Sequence, residues 1–227
     1  GMESMAFYKF YNLIDANLIF APYAVDNNYF LSQSNFLKNQ RLNLITELHL
    51  DATKKIVLFI GKYIEVKDPL LLLKAFTLLN YKDVQLVMVG DGKLRMEMEV
   101  FIKNNKLDNV KLTGFVNQSQ ISKYYAVANV LAISSKSETW GLAVNEAMCF
   151  GLPIVASNRV AAAKDLVEEG VNGSIFHYGN AHEFAAKIDY FLFNNTLSSK
   201  AATYSKQRIN DYAVHVTALN FYNAATA

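Results

Sequence analysis

Two glutamates, Glu138 and Glu146, stand eight positions apart in the stretch SSKSETWGLAVNEAMCFGLPIVAS, residues 134–157. Around them the chain reads as an apolar strand at residues 130–133, a polar loop, a helix, a Gly-Leu-Pro stop and a second apolar strand. Glu138 falls in the loop and Glu146 about one turn inside the helix, with Gly141 at the junction. A helix start leaves N–H groups without intrahelical partners, and such ends attract anions, phosphate above all. Carboxylates are the wrong charge for phosphate but accept strongly from hydroxyls. A helix start flanked by two acids therefore suits a ligand with both phosphate and hydroxyl groups, which describes a nucleotide sugar.

Three shorter stretches offer compatible chemistry. In FIGKYIEVKDP, residues 59–69, Gly61 closes an apolar strand and Lys62 and Lys67 offer two cations. Asp68 fits an N-cap there and Pro69 the first helical position. At ~4 Å and an effective dielectric of about 20, one lysine against a phosphate gains ~4 kcal/mol before desolvation. The same lysines also read as ordinary solvated loop residues. In VGDGK, residues 89–93, Gly90 suits either a phosphate-admitting turn or a plain tight one. In TGFV, residues 113–116, Phe115 and Val116 follow a short strand, and Phe115 reads equally as part of a ligand-bordering loop or as a core plug. There is no Asp-x-Asp, and His49, His177, His182 and His215 lack ligand spacing, so no metal is expected.

Glu138, seven residues, Glu146, then Ala147-Met148 and Gly151-Leu152-Pro153, resembles the E-x7-E motif of retaining glycosyltransferases with the two-domain GT-B fold. The likeness is greatest to the group 1 (GT4-type) family, and APYAVDNNYF, residues 21–30, resembles that family's interdomain segment. The resemblance implies roles. Glu146 binds ribose hydroxyls and Glu138 lies near the donor sugar. The Gly141 and Leu142 amides face the diphosphate. Gly61, Lys62 and Lys67 match the family's diphosphate pair, with Lys62 where arginine is usual and Asp68 where glycine is. Gly90 lies near the nucleotide pocket, and Phe115 and Val116 border the base. Ala161 stands where family members often carry glycine. A nucleotide-diphosphate sugar is then the donor substrate, with no cofactor and no metal.

The elements that must hold these residues follow from periodicity. Apolar strands are predicted at 56–60, 84–89, 110–112, 130–133, 154–156 and 173–176, with helices between them at about 69–79, 93–105, 119–127, 142–150, 161–169 and 180–194. Strands apolar throughout, alternating with helices, argue for a parallel sheet covered on both faces. The expected fold is thus α/β, a doubly wound Rossmann-like domain. Residues 1–20 read as a short helix and a strand, 33–49 as one helix, and the tail, 197–224, as one or two helices.

With 227 residues, 52% of them hydrophobic, the chain can bury a large core. A net charge of +2 leaves no nucleic-acid footprint. The lone cysteine, Cys149, excludes a disulfide framework and fits a reducing, cytoplasmic setting. No apolar run approaches the ~18 residues a membrane span needs. In family terms, residues 1–22 are a remnant or linker from an N-terminal acceptor domain and 23–227 the donor-binding domain, the C-terminal half of a GT-B enzyme. The acceptor, a glycan or lipid-linked glycan, would sit on a missing domain or partner chain, through which any peripheral membrane contact would run. This chain alone is then expected to bind donor without transferring it. Two other readings stay open: a non-catalytic module that kept the fold, and a glycosidase using the two glutamates. The second is disfavoured, because retaining pairs stand ~5–5.5 Å and inverting pairs ~6.5–9.5 Å apart, whereas eight helical residues span ~12 Å.

Overall fold

A computed structural model describes residues 1–14, 18–79 and 82–226. Six parallel strands form one sheet in the order β3-β2-β1-β4-β5-β6: β1 (Lys55–Ile60), β2 (Val84–Val89), β3 (Val110–Leu112), β4 (Val130–Ile133), β5 (Ile154–Ser157) and β6 (Gly173–Phe176). Each lies within a residue of its predicted span. β1 pairs with β2 from Lys55↔Val84 to Ile60↔Val89, and with β4 through Val57↔Val130 and Leu58↔Leu131. The chain therefore builds outward from β1 to β3, then returns to the other side of β1 to lay down β4, β5 and β6. Where the order reverses, the helices leaving β1 and β4 diverge, and a crevice opens at the carboxyl ends of those two strands.

Side chains alternate across the sheet, as a period of two requires. Ile56, Leu58, Leu131, Ile133, Ile154 and Ala156 enter one core with α2 (Asn27–Leu37), α3 (Arg41–Glu47), α6 (Gln118–Val127), α7 (Leu142–Cys149) and α8 (Ala161–Leu166). Val57, Phe59, Val130, Ala132 and Val155 enter the other with α4 (Pro69–Thr77), α5 (Arg95–Asn104) and α9 (Ala181–Leu192). Both faces are thereby covered, which is why the strand interiors are mainly apolar, with Lys55, Gln85, Lys111, Ser157 and Ser174 the polar exceptions. Cys149 is fully buried in the first core.

The tail comprises α10 (Asn195–Arg208), a 3-10 turn (Ile209–Tyr212) and α11 (Val214–Thr226). It is tied to residues 20–27: Asn220 Nδ2 donates to Phe20 O at 2.7 Å, Thr217 Oγ1 to Pro22 O at 2.7 Å, and Asn27 Nδ2 to Ile209 O at 2.9 Å. The N-terminal helix, α1 (Met2–Phe10), buries no residue. Its Met2 N–H donates to both carboxylate oxygens of Asp165, each at 3.0 Å, and Glu3 pairs with Lys164.

Two expectations are corrected. No strand follows α1: residues 18–24 are irregular, Val25 makes only an isolated bridge to Ala213, and residues 15–17 lie outside the described residues. The helix predicted over 33–49 is two helices, α2 and α3, separated by residues 38–40. Among the described residues no helix is long and apolar enough to cross a membrane.

Candidate functional site

The carboxyl ends of β1, β2 and β3 are stitched together by backbone contacts. Gly61 N–H donates to Val89 O at 3.0 Å, Tyr63 N–H to Asp91 O at 2.9 Å, and Gly90 N–H to Gly114 O at 3.0 Å. Gly90 has φ +146, and a Cβ there would lie 1.9 Å from Gly61 O, so only glycine lets the two loops cross. Tyr63, fully buried, donates from Oη to Met88 O at 2.7 Å. Beyond this seam Phe115 is 83% exposed, which excludes the core-plug reading. Val116 packs half-buried against the core. Lys62 is exposed; its carbonyl accepts from Ile64 N–H at 3.0 Å, and its side chain makes no hydrogen bond or ion pair among the described residues.

The loop from β1 to α4 and the loop from β4 to α7 are bound to each other. Ser134 Oγ donates to Lys67 O at 2.9 Å and Lys136 N–H to Val66 O at 2.8 Å. These bonds bring Lys67 and Glu138, 71 residues apart, into an ion pair through Lys67 Nζ and Glu138 Oε2. Ser135 Oγ donates to the same oxygen at 3.3 Å. Glu138 is fixed from behind as well: its N–H donates to Arg159 O at 3.1 Å, and Ala161 N–H donates to Glu138 O at 3.2 Å. Ala161 is the first residue of α8 and its φ is not positive, so no left-handed backbone is needed there and alanine fits.

Gly141 begins α7 with φ +103; a Cβ would approach Val160 Cγ1 to 3.1 Å and Glu138 Cγ to 3.2 Å. The N–H groups of Gly141, Leu142 and Ala143 make no hydrogen bond among the described residues. They face a cleft of about 440 Å³ whose lining includes Lys67, Ser135 and Glu138 and whose floor is Phe59, Ile60 and Ile133. The floor residues are the ends of β1 and β4, so the cleft is the crevice at the order reversal. One wall is Trp140, stacked between Tyr23 at 5.2 Å and Tyr212 at 6.0 Å, with Nε1 donating to Asn145 Oδ1 at 2.8 Å. Trp140 thus packs the loop, as its near-complete burial requires. A larger cleft, about 800 Å³, lies between α1 and α11, and no charged side chain lines it.

Glu146 sits apart from this group. It is the fifth residue of α7, does not line the cleft, and its Oε2 accepts from Tyr125 Oη at 2.6 Å. Tyr125 is fully buried on α6, stacked on Phe150 with centroids 5.4 Å apart. Burial pushes the Glu146 carboxyl above its ordinary value, the Tyr125 bond opposing, and burial drives the Tyr125 phenol well up too. No hydrogen bond reaches Glu146 Oε1 among the described residues.

Of the residues singled out in the sequence, Lys67, Glu138, Gly141 and Leu142 therefore share one cleft. Gly61, Lys62, Gly90, Phe115 and Val116 lie along the neighbouring strand ends, and Glu146 is one helical turn deeper. Tyr125 and Ser135 escaped the sequence reading. Tyr125 is embedded in YYAVANVLAI, which reads only as core, and Ser135 in a serine-rich loop.

A family model described as glycosyl transferases group 1 matches residues 40–208. Spore coat protein SA of Bacillus subtilis is 32% identical over 165 residues, covering 68% of this chain and 44% of that protein. A Campylobacter jejuni enzyme, named as an α-1,4-N-acetyl-D-galactosaminyltransferase acting on a GalNAc-containing diNAcBac-PP-undecaprenol, is 26% identical over 164 residues, 71% of this chain and 45% of that protein. This chain thus spans less than half the length of either relative. Among solved structures, a glycosyltransferase from Rickettsia africae superposes with a TM-score of 0.81 at 18% identity, covering 94% of this chain and 58% of that one. Anabaena Alr3699/HepE, in complex with UDP and glucose, gives 0.72 at 24% identity, covering 89% and 54%. These likenesses establish the fold as the Rossmann-like domain of GT-B proteins.

Proposed function

The chain belongs to the group 1 glycosyl transferases, and on that premise we propose that it is a donor half that binds a nucleoside diphosphate sugar in the cleft over β1 and β4. The observation that carries this is the set of three unpartnered N–H groups at Gly141, Leu142 and Ala143, opening onto the same cleft as Lys67 and Glu138. Fixed N–H dipoles and a lysine receive the pyrophosphate. Lys67 turns from Glu138 toward phosphate, and Glu138 is released to accept from sugar hydroxyls. Glu146 offers its free Oε1 to the ribose, and the exposed Phe115 ring lies on the side where the base would run.

Charge that develops on the departing phosphate as the glycosidic bond breaks is stabilised by groups already in place. The family implies net retention at the anomeric carbon without a metal. The UDP and glucose bound by Alr3699/HepE and the lipid-linked acceptor in the Campylobacter enzyme's name support a nucleotide-sugar donor and a glycan acceptor. Cell-surface glycan assembly in the cytoplasm fits that pairing. The acceptor belongs to a second half held outside these residues, and this chain binds donor without transferring it.

A thermal-shift screen of UDP-, GDP- and ADP-sugars tests the reading, since a ligand bound only by the folded state raises the melting temperature. One nucleotide series should raise it in proportion to ligand concentration. A flat response to all three overturns the proposal and favours an inert module.

A further inference from the structure

Asp68 is the only non-glycine residue between β1 and α4 with a left-handed backbone, at φ 43 and ψ 60. A side chain with a Cβ resists that conformation, although aspartate tolerates it better than most. Residues are held there when their surroundings over-determine them. Both carboxylate oxygens of Asp68 are engaged. Oδ1 accepts from Leu71 N–H at 3.2 Å and caps α4, while Oδ2 accepts from Tyr178 Oη at 2.7 Å. Tyr178 lies between β6 and α9, 110 residues further on. Its own N–H donates to Asn158 Oδ1 at 3.1 Å, so the ring reaches Asp68 from a fixed backbone.

The residue before Asp68 is Lys67. Its N–H and that of Asp68 both donate to Ile64 O, at 3.0 and 3.1 Å, and its carbonyl accepts from Ser134. Lys67 is thus held through its own N–H and carbonyl, with its side chain in the cleft beside Glu138, and the left-handed turn at Asp68 directly follows it, sharing Ile64 O as acceptor.

We propose that Tyr178 is a positioning residue for donor binding, whose phenol clamps Asp68 in the left-handed turn that aims Lys67 into the cleft. This rests on the donor-site reading given above. Glycine would take the turn without help; aspartate needs the clamp. Burial and the Asp68 bond push the phenol up to about 12, so it remains a donor throughout the neutral range.

The test is titration of the folded chain with UDP, GDP and ADP, with and without Tyr178→Phe in three backgrounds: wild type, Asp68→Gly and Lys67→Ala. Tyr178→Phe alone should weaken binding about tenfold, the scale of coupling between residues in one network. Added to Asp68→Gly or to Lys67→Ala it should cost nothing further, which a general loss of stability would not produce. Equal losses in all three backgrounds, or none in the first, overturn the proposal. If wild type binds none of the three nucleotides, the donor reading has failed, and amide hydrogen exchange over residues 67–71 decides the clamp separately. Faster exchange in Tyr178→Phe supports it, and unchanged exchange sinks it.

Discussion

Glu146 accepts from Tyr125 in a setting whose burial raises its affinity for a proton. With the folded value above the unfolded one, the protonated form is favoured by folding. That contribution is fully present below the ordinary glutamate value of 4.5 and is lost as pH rises through the folded value. At neutral pH the ionised carboxylate is therefore a cost to stability, which the proposed role as an anionic acceptor for ribose would account for. Glu146→Gln keeps an oxygen for Tyr125 and removes the charge. We expect it to melt higher than wild type at about pH 7.5, with the gap closing below about pH 4.5, while nucleotide binding weakens. Calorimetric scans at the two pH values check this; a gap of the same size at both contradicts it. At this scale the sequence showed the chemistry but not the partners. Lys67 with Glu138, Tyr125 with Glu146 and Tyr178 with Asp68 are pairs 71, 21 and 110 residues apart. Periodicity carries no information about which side chains meet across loops, so Tyr125 reads only as core and Tyr178 is not singled out.

Among the elements, the crossing of the loops after β1 and β2 sets the site's geometry, and Gly90 permits it. Alanine at Gly90 would place its Cβ 1.9 Å from Gly61 O, backbone that cannot rotate away. At Gly179, with φ +90, a Cβ meets nothing within 4 Å. Urea denaturation should show Gly90→Ala losing more than ~2 kcal/mol and Gly179→Ala about 1 kcal/mol. Comparable losses would mean that conformation rather than contact governs both. The strands were legible because each is an apolar run bounded by turn residues. The break between α2 and α3 was not, because Lys38-Asn39-Gln40 contains neither glycine nor proline and α3 has no side-chain cap. The strand expected after the helix within residues 1–20 failed for another reason, as far as the described residues 18–20 show. Phe20 O accepts from Asn220 Nδ2 of the tail, and none of these residues joins the sheet.

For the whole molecule, the order β3-β2-β1-β4-β5-β6 places the one reversal beneath the unpaired start of α7. Local pattern gives the strands and helices; the place where they converge follows from the order, which the parallel, right-handed crossover rule constrains but a single sequence does not spell out. On the proposed reading, in which these residues supply the donor contacts and another half the acceptor contacts, the chain should bind a nucleotide sugar and leave it intact. Incubation with a binding nucleotide sugar and a lipid-linked glycan should therefore yield no glycan product; product formed by the pure chain would contradict that division.

The central claim is that the start of α7, with Lys67 and Glu138, holds a pyrophosphate. Isothermal titration with UDP, GDP and ADP, on wild type and Lys67→Ala, tests it most directly. Replacing Lys67 should change stability by no more than ~1 kcal/mol, as for a partly exposed ion pair, so any effect reports on the ligand. We predict that wild type binds at least one nucleotide and that Lys67→Ala binds it at least about tenfold more weakly, the scale of one charged hydrogen bond. Binding of none, or equal binding by both proteins, would contradict the account.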